Sequence, residues 1–144
     1  MGIRRAYRED ADRIAELLLA AREESPLYRE FPLHEKRTRA MLDVMLGNPR
    51  GAVFVDDDFD SIVIGDITPD WLSAGYTAVI HLAYARPKKD GLRALRAFKK
   101  WAKSWPQVDK LYISTSFGDR QDATDRVLKA LGFEVLGTQY MGVL

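Results

Sequence analysis

The stretch HLAYARPKKDGLRALRAFKKWAKSW, His81 to Trp105, decides how this chain is read. Its first residues close the apolar run TAVIHLAYA, which has the length and side chains of a strand. Pro87 and Gly91 punctuate a short basic turn. Leu92, Leu95, Phe98, Ala102 and Trp105 then recur at helical spacing, with Arg93, Arg96, Lys99, Lys100 and Lys103 largely off that stripe. A helix that starts at such a turn presents unpaired N–H groups and the positive end of its dipole, a setting that suits a pyrophosphate. Gly91 lets backbone approach an anion closely, and Arg86, Lys88 and Lys89 bring positive charge to the same place.

On the N-terminal side, IRRAY reads as a short strand. REDADRIAELLLAAREE reads as an amphipathic helix with Ala11, Ile14, Leu18 and Ala21 on one face. Pro26 and Pro32 mark a loop, and KRTRAMLDVMLGNP returns to helix, with Met41, Leu42, Met45 and Leu46 together. GAVFVDDD and DSIVIGDI are β-branched runs around an acidic turn, a hairpin pattern. On the C-terminal side, VDKLYISTSF alternates as a half-buried strand does. DATDRVLKALGF is a helix closed by Gly132, and EVLGTQYMGVL supplies a last strand.

The composition sets the frame. A chain of 144 residues, 47% hydrophobic and 30% charged, has the size and balance of one soluble domain spanning 1–144. Lysines and arginines total 22 against 21 acids, so any electrostatic message is local. Without cysteine there are no disulfides, thiolate nucleophiles or cysteine metal sites. No apolar run approaches the ~20 residues that span a bilayer, and MGIRRAYRED lacks the apolar middle of a signal peptide. No membrane association and a cytoplasmic address are the expectation. The alternation of helices and strands points to an α/β (α+β) fold, a mixed sheet with helices on its faces.

The order of elements and three local signatures resemble the GNAT superfamily of acyl-CoA-dependent N-acetyltransferases over nearly the whole chain. The first signature is IRRAYREDADRIAELL, similar to the family's opening strand and a helix starting at Asp10 and Ala11. The second is the basic turn between strand and helix, and the third is TDRVLKALGFEVLG, a last helix ending in Gly132 and Phe133. The resemblance implies a mostly antiparallel central sheet that splays to admit acetyl-CoA. It places Leu82, Ala83 and Tyr84 at a strand bulge that holds the acyl carbonyl, and Arg86, Lys88, Lys89, Gly91, Leu92 and Arg93 around the phosphates of coenzyme A. It also implies a primary amine on a small molecule or a protein as acceptor, and a homodimer. The chain looks like the compact, divergent members found in tailed phages.

Two positions depart from the family pattern. Lys89 stands where the phosphate turn has its middle glycine, with Asp90 adding negative charge beside it, and Leu128 stands where the last helix often carries an acidic tyrosine. His81 is the candidate base, since an imidazole exchanges protons near neutrality. Tyr84 and Tyr140 are candidate proton donors, as are Tyr112, Ser114 and Ser116. Asp66 and Asp70, flanking a loop that contains Trp71, form an anionic, aromatic segment suited to a cationic amine. The run DDDFD, Asp56 to Asp60, lacks the spacing of a calcium loop and reads as a solvated turn, so no metal is expected.

Three functions follow from these features: an acetyl-CoA-dependent N-acetyltransferase, a non-catalytic protein of the same fold, and a nucleic-acid binder using the basic helix. The balanced net charge and the apolar stripe argue against the third.

Overall fold

The structure is a computed structural model and describes residues 2–26, 28–114, 121–136 and 142. The residues group into two compact units, Met1–Ile113 and Ser114–Leu144. In the first, β1 (Ile3–Arg5), α1 (Ala11–Glu24), α2 (Glu35–Gly47), β2 (Gly51–Asp56), β3 (Ser61–Pro69), β4 (Tyr76–Ala85), α3 (Leu92–Lys103) and β5 (Val108–Ile113) follow in order. The sheet order is β1-β2-β3-β4-β5. The first three pairings are antiparallel and β4 with β5 is parallel, which agrees with the mostly antiparallel sheet expected. A parallel pair needs a crossover, and α3 provides it.

Helices cover both faces, so the central strands are buried on both sides and lose the simple alternation of a half-solvated sheet. Ile14 and Leu17 of α1 and Leu42 of α2 pack on Val53, Val55 and Ile62. Ala94, Phe98 and Ala102 of α3 pack on Ala52, Val63, Ile67, Ala78 and Ile80 from the opposite face. Of the apolar α2 residues, Leu42, Met45 and Leu46 turn inward while Met41 is 67% exposed. At the start of α1, the Arg4 guanidinium grips both oxygens of Asp10 at 2.8 Å, and the Tyr7 N–H donates to the same carboxylate. These bonds hold Asp10 down at about 2, well below the usual carboxylate range.

In the second unit, α4 (Gln121–Ala130) ends as the sequence indicates. Gly132 takes φ 91, its N–H donates to the Lys129 carbonyl and the Phe133 N–H to that of Leu128. This double bond to the last carbonyls is the Schellman arrangement, which asks for a residue free to enter the left-handed region. Glu134–Leu136 carry no strand, and the rest of the expected last strand, Gly142 apart, lies outside the described residues.

One close approach fixes α3 on the sheet. A side chain at Gly65 would place its Cβ 2.4 Å from Phe98 Cζ and 2.4 Å from the Val79 carbonyl oxygen, so β3 accepts the Phe98 ring only because residue 65 is glycine. Phe98 is fully buried and continues into edge and tilted contacts with Phe54 and Trp101. We expect Gly65→Ala to destabilise the protein by about 1–3 kcal/mol through overpacking, read as a lower denaturation midpoint. An unchanged midpoint would contradict this packing.

Candidate functional site

The strand that leads to the basic turn carries a bulge. β3 and β4 pair Ile64 with Leu82 and Gly65 with Ile80, which leaves His81 as an extra residue. A single inserted residue reverses which face the following side chains take. Ala78 and Ile80 accordingly face α3, whereas after the bulge Ala83 takes that face, and Leu82 and Tyr84 pack toward α1 and α2. The bulge lies at His81, just ahead of the Leu82 to Tyr84 stretch in which the sequence reading placed it.

Pairing between β4 and β5 runs from Tyr76↔Val108 to Ile80↔Ile113 and stops there, while β4 continues to Ala85 against β3. The stretch Leu82 to Ala85 is the carboxyl end of β4, directly before the turn.

At the bulge, His81 Nε2 lies 2.8 Å from Asp66 Oδ1. An ionised carboxylate only accepts, so Nε2–H donates and the neutral ring keeps its lone pair on Nδ1. The imidazole is half exposed, whereas Asp66 is 21% exposed. The register places Asp66 opposite Val79, and Val79 in turn beside Tyr112 on β5, so all three share one face of the sheet. On that face an open cleft of about 680 Å³ is lined by Thr68, Pro69, Thr77, Val79, Trp71 and Tyr112, with Asp70 at its edge.

Asp70 does not act as the free anion expected of it. Lys110 Nζ and the Thr77 hydroxyl both donate to its carboxylate, and Ser73 Oγ donates at 2.7 Å. Lys110 foremost, then the two hydroxyls, pull Asp70 down to about 2, and Lys110 is itself raised by Asp109 and Asp70. The charge of Asp70 is spent inside the protein.

The basic turn is built on a second acid. The Lys89 N–H donates to the Arg86 carbonyl at 3.0 Å across Pro87 and Lys88, and Lys88 has φ 65. Proline second and a positive φ third define a type II turn, where glycine is the usual third residue. Asp60 then clamps the turn. Its carbonyl accepts from the Arg86 N–H at 2.8 Å, and its carboxylate lies 3.5 Å from Arg86 Nε and 3.4 Å from Lys89 Nζ. Asp90 Oδ1 accepts from the Leu92 N–H at 2.8 Å, occupying one of the amides that open α3. Gly91 sits with its would-be Cβ 3.2 Å from Ala85, close against the end of β4, and Arg93 is exposed on the first turn of the helix.

Asp56, Asp58 and Asp60 come close enough to share an ion. Asp56 Oδ1, however, already accepts from Asp60 N–H, Ser61 N–H and Ser61 Oγ, and Asp60 serves Arg86 and Lys89. The cluster is a hydrogen-bonded hairpin turn. Tyr84 is partly buried against the α1 and α2 core, Ser114 is exposed, and Tyr140 and Ser116 lie outside the described residues. His34, given no role from sequence, caps α2 by accepting from the Arg37 N–H at 3.1 Å.

In sequence the chain matches no family model and no curated protein. Solved structures match it along its full length. A structure described as that of "a probable acetyltransferase" superposes with TM-score 0.77 at 17% identity, covering 100% of this chain and 98% of that one. The chain has the GNAT fold. An integron cassette protein from the mobile metagenome of Cole Harbour Salt Marsh gives 0.77 at 18%, covering 99% and 89%. The aminoglycoside N-acetyltransferase AAC(6')-Iy, in complex with CoA, gives 0.76 at 15%, covering 99% and 93%. At these identities the likeness is one of architecture. Among the described residues, no helix of this GNAT-fold chain is long and apolar enough to cross a membrane.

The position of Asp90 yields a test. Asp90→Asn keeps an oxygen acceptor for the Leu92 amide and removes the negative charge from the helix start. On the cofactor reading proposed below, we expect it to tighten acetyl-CoA roughly two- to fivefold in isothermal titration without lowering the denaturation midpoint. Weaker binding in the variant would show that Asp90 does not compete with the phosphates.

Proposed function

We propose that this protein is an acetyl-CoA-dependent N-acetyltransferase acting on a primary amine. One observation carries the reading: the bulge in β4 sets His81 beside Asp66 a few residues before the basic turn that leads into α3. A candidate base and a candidate phosphate turn thus lie at the same end of one strand, as transfer from a bound thioester to an amine requires.

The residues present fit the cofactor in part. The stretch Leu82 to Tyr84 beside the bulge suits an extended thiol arm, and the start of α3 with Gly91 and exposed Lys88 suits its phosphates, Asp90 being the group that must yield. When bound, acetyl-CoA supplies an activated acetyl group: the amine nitrogen forms the new C–N bond as the C–S bond breaks, and of the two protons shed by the ammonium one goes to the departing thiolate and one to His81 and then solvent.

His81 takes its proton on Nδ1, because Asp66 holds Nε2–H, and the imidazolium formed is stabilised by the same carboxylate. Backbone N–H groups beside the bulge are suited to the carbonyl oxygen that gains negative charge. The acceptor can be a small molecule, as the aminoglycoside enzyme of the same fold suggests, or an amine of a protein, and a cytoplasmic homodimer remains part of this reading.

A second reading, a non-catalytic protein of this fold, is favoured by a specific observation. Asp60 neutralises two of the turn's cations and Asp90 takes the Leu92 amide. Release of free thiol from acetyl-CoA with primary amines as acceptors separates the two. We expect turnover that falls about 10²-fold in His81→Ala with acetyl-CoA affinity unchanged. Turnover undiminished in His81→Ala would remove His81 from the chemistry, and the absence of both binding and turnover would favour the second reading.

A further inference from the structure

The cleft lined in part by Val79, two residues before His81 on β4, offers apolar walls to a flat body. Its walls are Pro69, Trp71, Val79 and Tyr112, with the methyl-bearing side chains of Thr68 and Thr77 between them. The Trp71 side chain lines it and yet is 99% exposed, and Tyr112 is 43% exposed. Two aromatic surfaces of this size left to water on one cleft are unusual for a soluble chain and favour an apolar partner laid against them.

The charges around the cleft add up to a narrow selection. Asp70 is matched by Lys110 and bonded to Ser73 and Thr77, while Asp109, the other partner of Lys110, sits at the exposed side 2.9 Å from its Nζ. Asp66 is the remaining carboxylate on this face among the described residues, and its bond to His81 leaves the pair with one net negative charge while the ring is neutral. One ammonium, delivered next to Nδ1 of His81, satisfies that charge. A second ammonium reaching toward Thr77 would meet the Lys110–Asp70 pair instead of a free acid.

Resting on the transferase reading above, we propose that the acceptor is a primary monoamine with a flat apolar body, of the arylalkylamine class, its ring lying between Trp71 and Tyr112 and its nitrogen at the His81–Asp66 pair. Lys110 is a specificity residue in this arrangement: by occupying Asp70 it denies polyamines their second anchor. Trp71 contributes apolar contact and takes no part in proton transfer, so its loss acts on acceptor binding.

The test compares phenethylamine with spermidine, first by binding and then by turnover at saturating acetyl-CoA. Binding is read from shifts of the Trp71 indole N–H resonance, which needs no catalysis. We expect phenethylamine to bind at least tenfold more tightly than spermidine. Trp71→Ala should raise KM for phenethylamine about tenfold with acetyl-CoA affinity unchanged, and Lys110→Met should improve spermidine binding several-fold by freeing Asp70. Trp71 is fully exposed, so its variant retains the fold, and an unchanged denaturation midpoint checks this. Preference for spermidine, or phenethylamine binding that leaves the Trp71 resonance unmoved, overturns the substrate class while leaving the transferase reading intact. Failure to bind or turn over acetyl-CoA, with phenethylamine still seated on Trp71, overturns the transferase reading and not the cleft.

Discussion

The architecture depends on one missing side chain. Because residue 65 carries no Cβ, Phe98 reaches the backbone of β3, and α3 lies close enough to serve as the crossover between β4 and β5. The pairing of β3 with β4 slips at that same glycine, which is where the surplus residue His81 leaves the regular pleat. A tight contact on the α3 face and a bulge that presents His81 and Asp66 on the other face are thus joined at one rung of the sheet. Packing and candidate chemistry share a single constraint.

Electrostatics in this molecule is arranged as local cancellation. Asp60 holds Arg86 and Lys89, Asp70 holds Lys110, and Asp10 holds Arg4, so most of the conspicuous charge clusters are answered a few residues away in space. Exposed pairs of this kind add little to stability, about 0–1 kcal/mol each, and their main effect is on what the surface attracts. The acidic hairpin turn and the basic turn, distant in sequence, meet because β3 and β4 are neighbours with Ser61 opposite Ala85.

Much of the fold was legible in the sequence because its signals are local. The apolar stripe of α3 and the glycine after α4 are periodicity and capping signals that tertiary structure had no reason to override. The β-branched hairpin was equally clear, although Phe59 at φ 56 in its turn was not foreseeable from residue preference. The candidate site was legible only in outline. His81 was singled out, yet its partner Asp66 is fifteen positions earlier, and a bulge shifts register without leaving any mark in composition. The pairing of Asp70 was hidden for a related reason: its neutralising cation, Lys110, is supplied by a strand forty residues further along. Pairing across the sheet is the information that one-dimensional reading lacks.

The central proposal is that acetyl-CoA docks along the end of β4 beside His81. Titrating isotopically labelled protein with acetyl-CoA and following its backbone amides tests this most directly. The account predicts shifts concentrated at His81 to Tyr84 and at Gly91 to Arg93, with the amides of β1 and β2 unmoved. Saturable binding whose shifts lie elsewhere, or no shift at millimolar ligand, would contradict it.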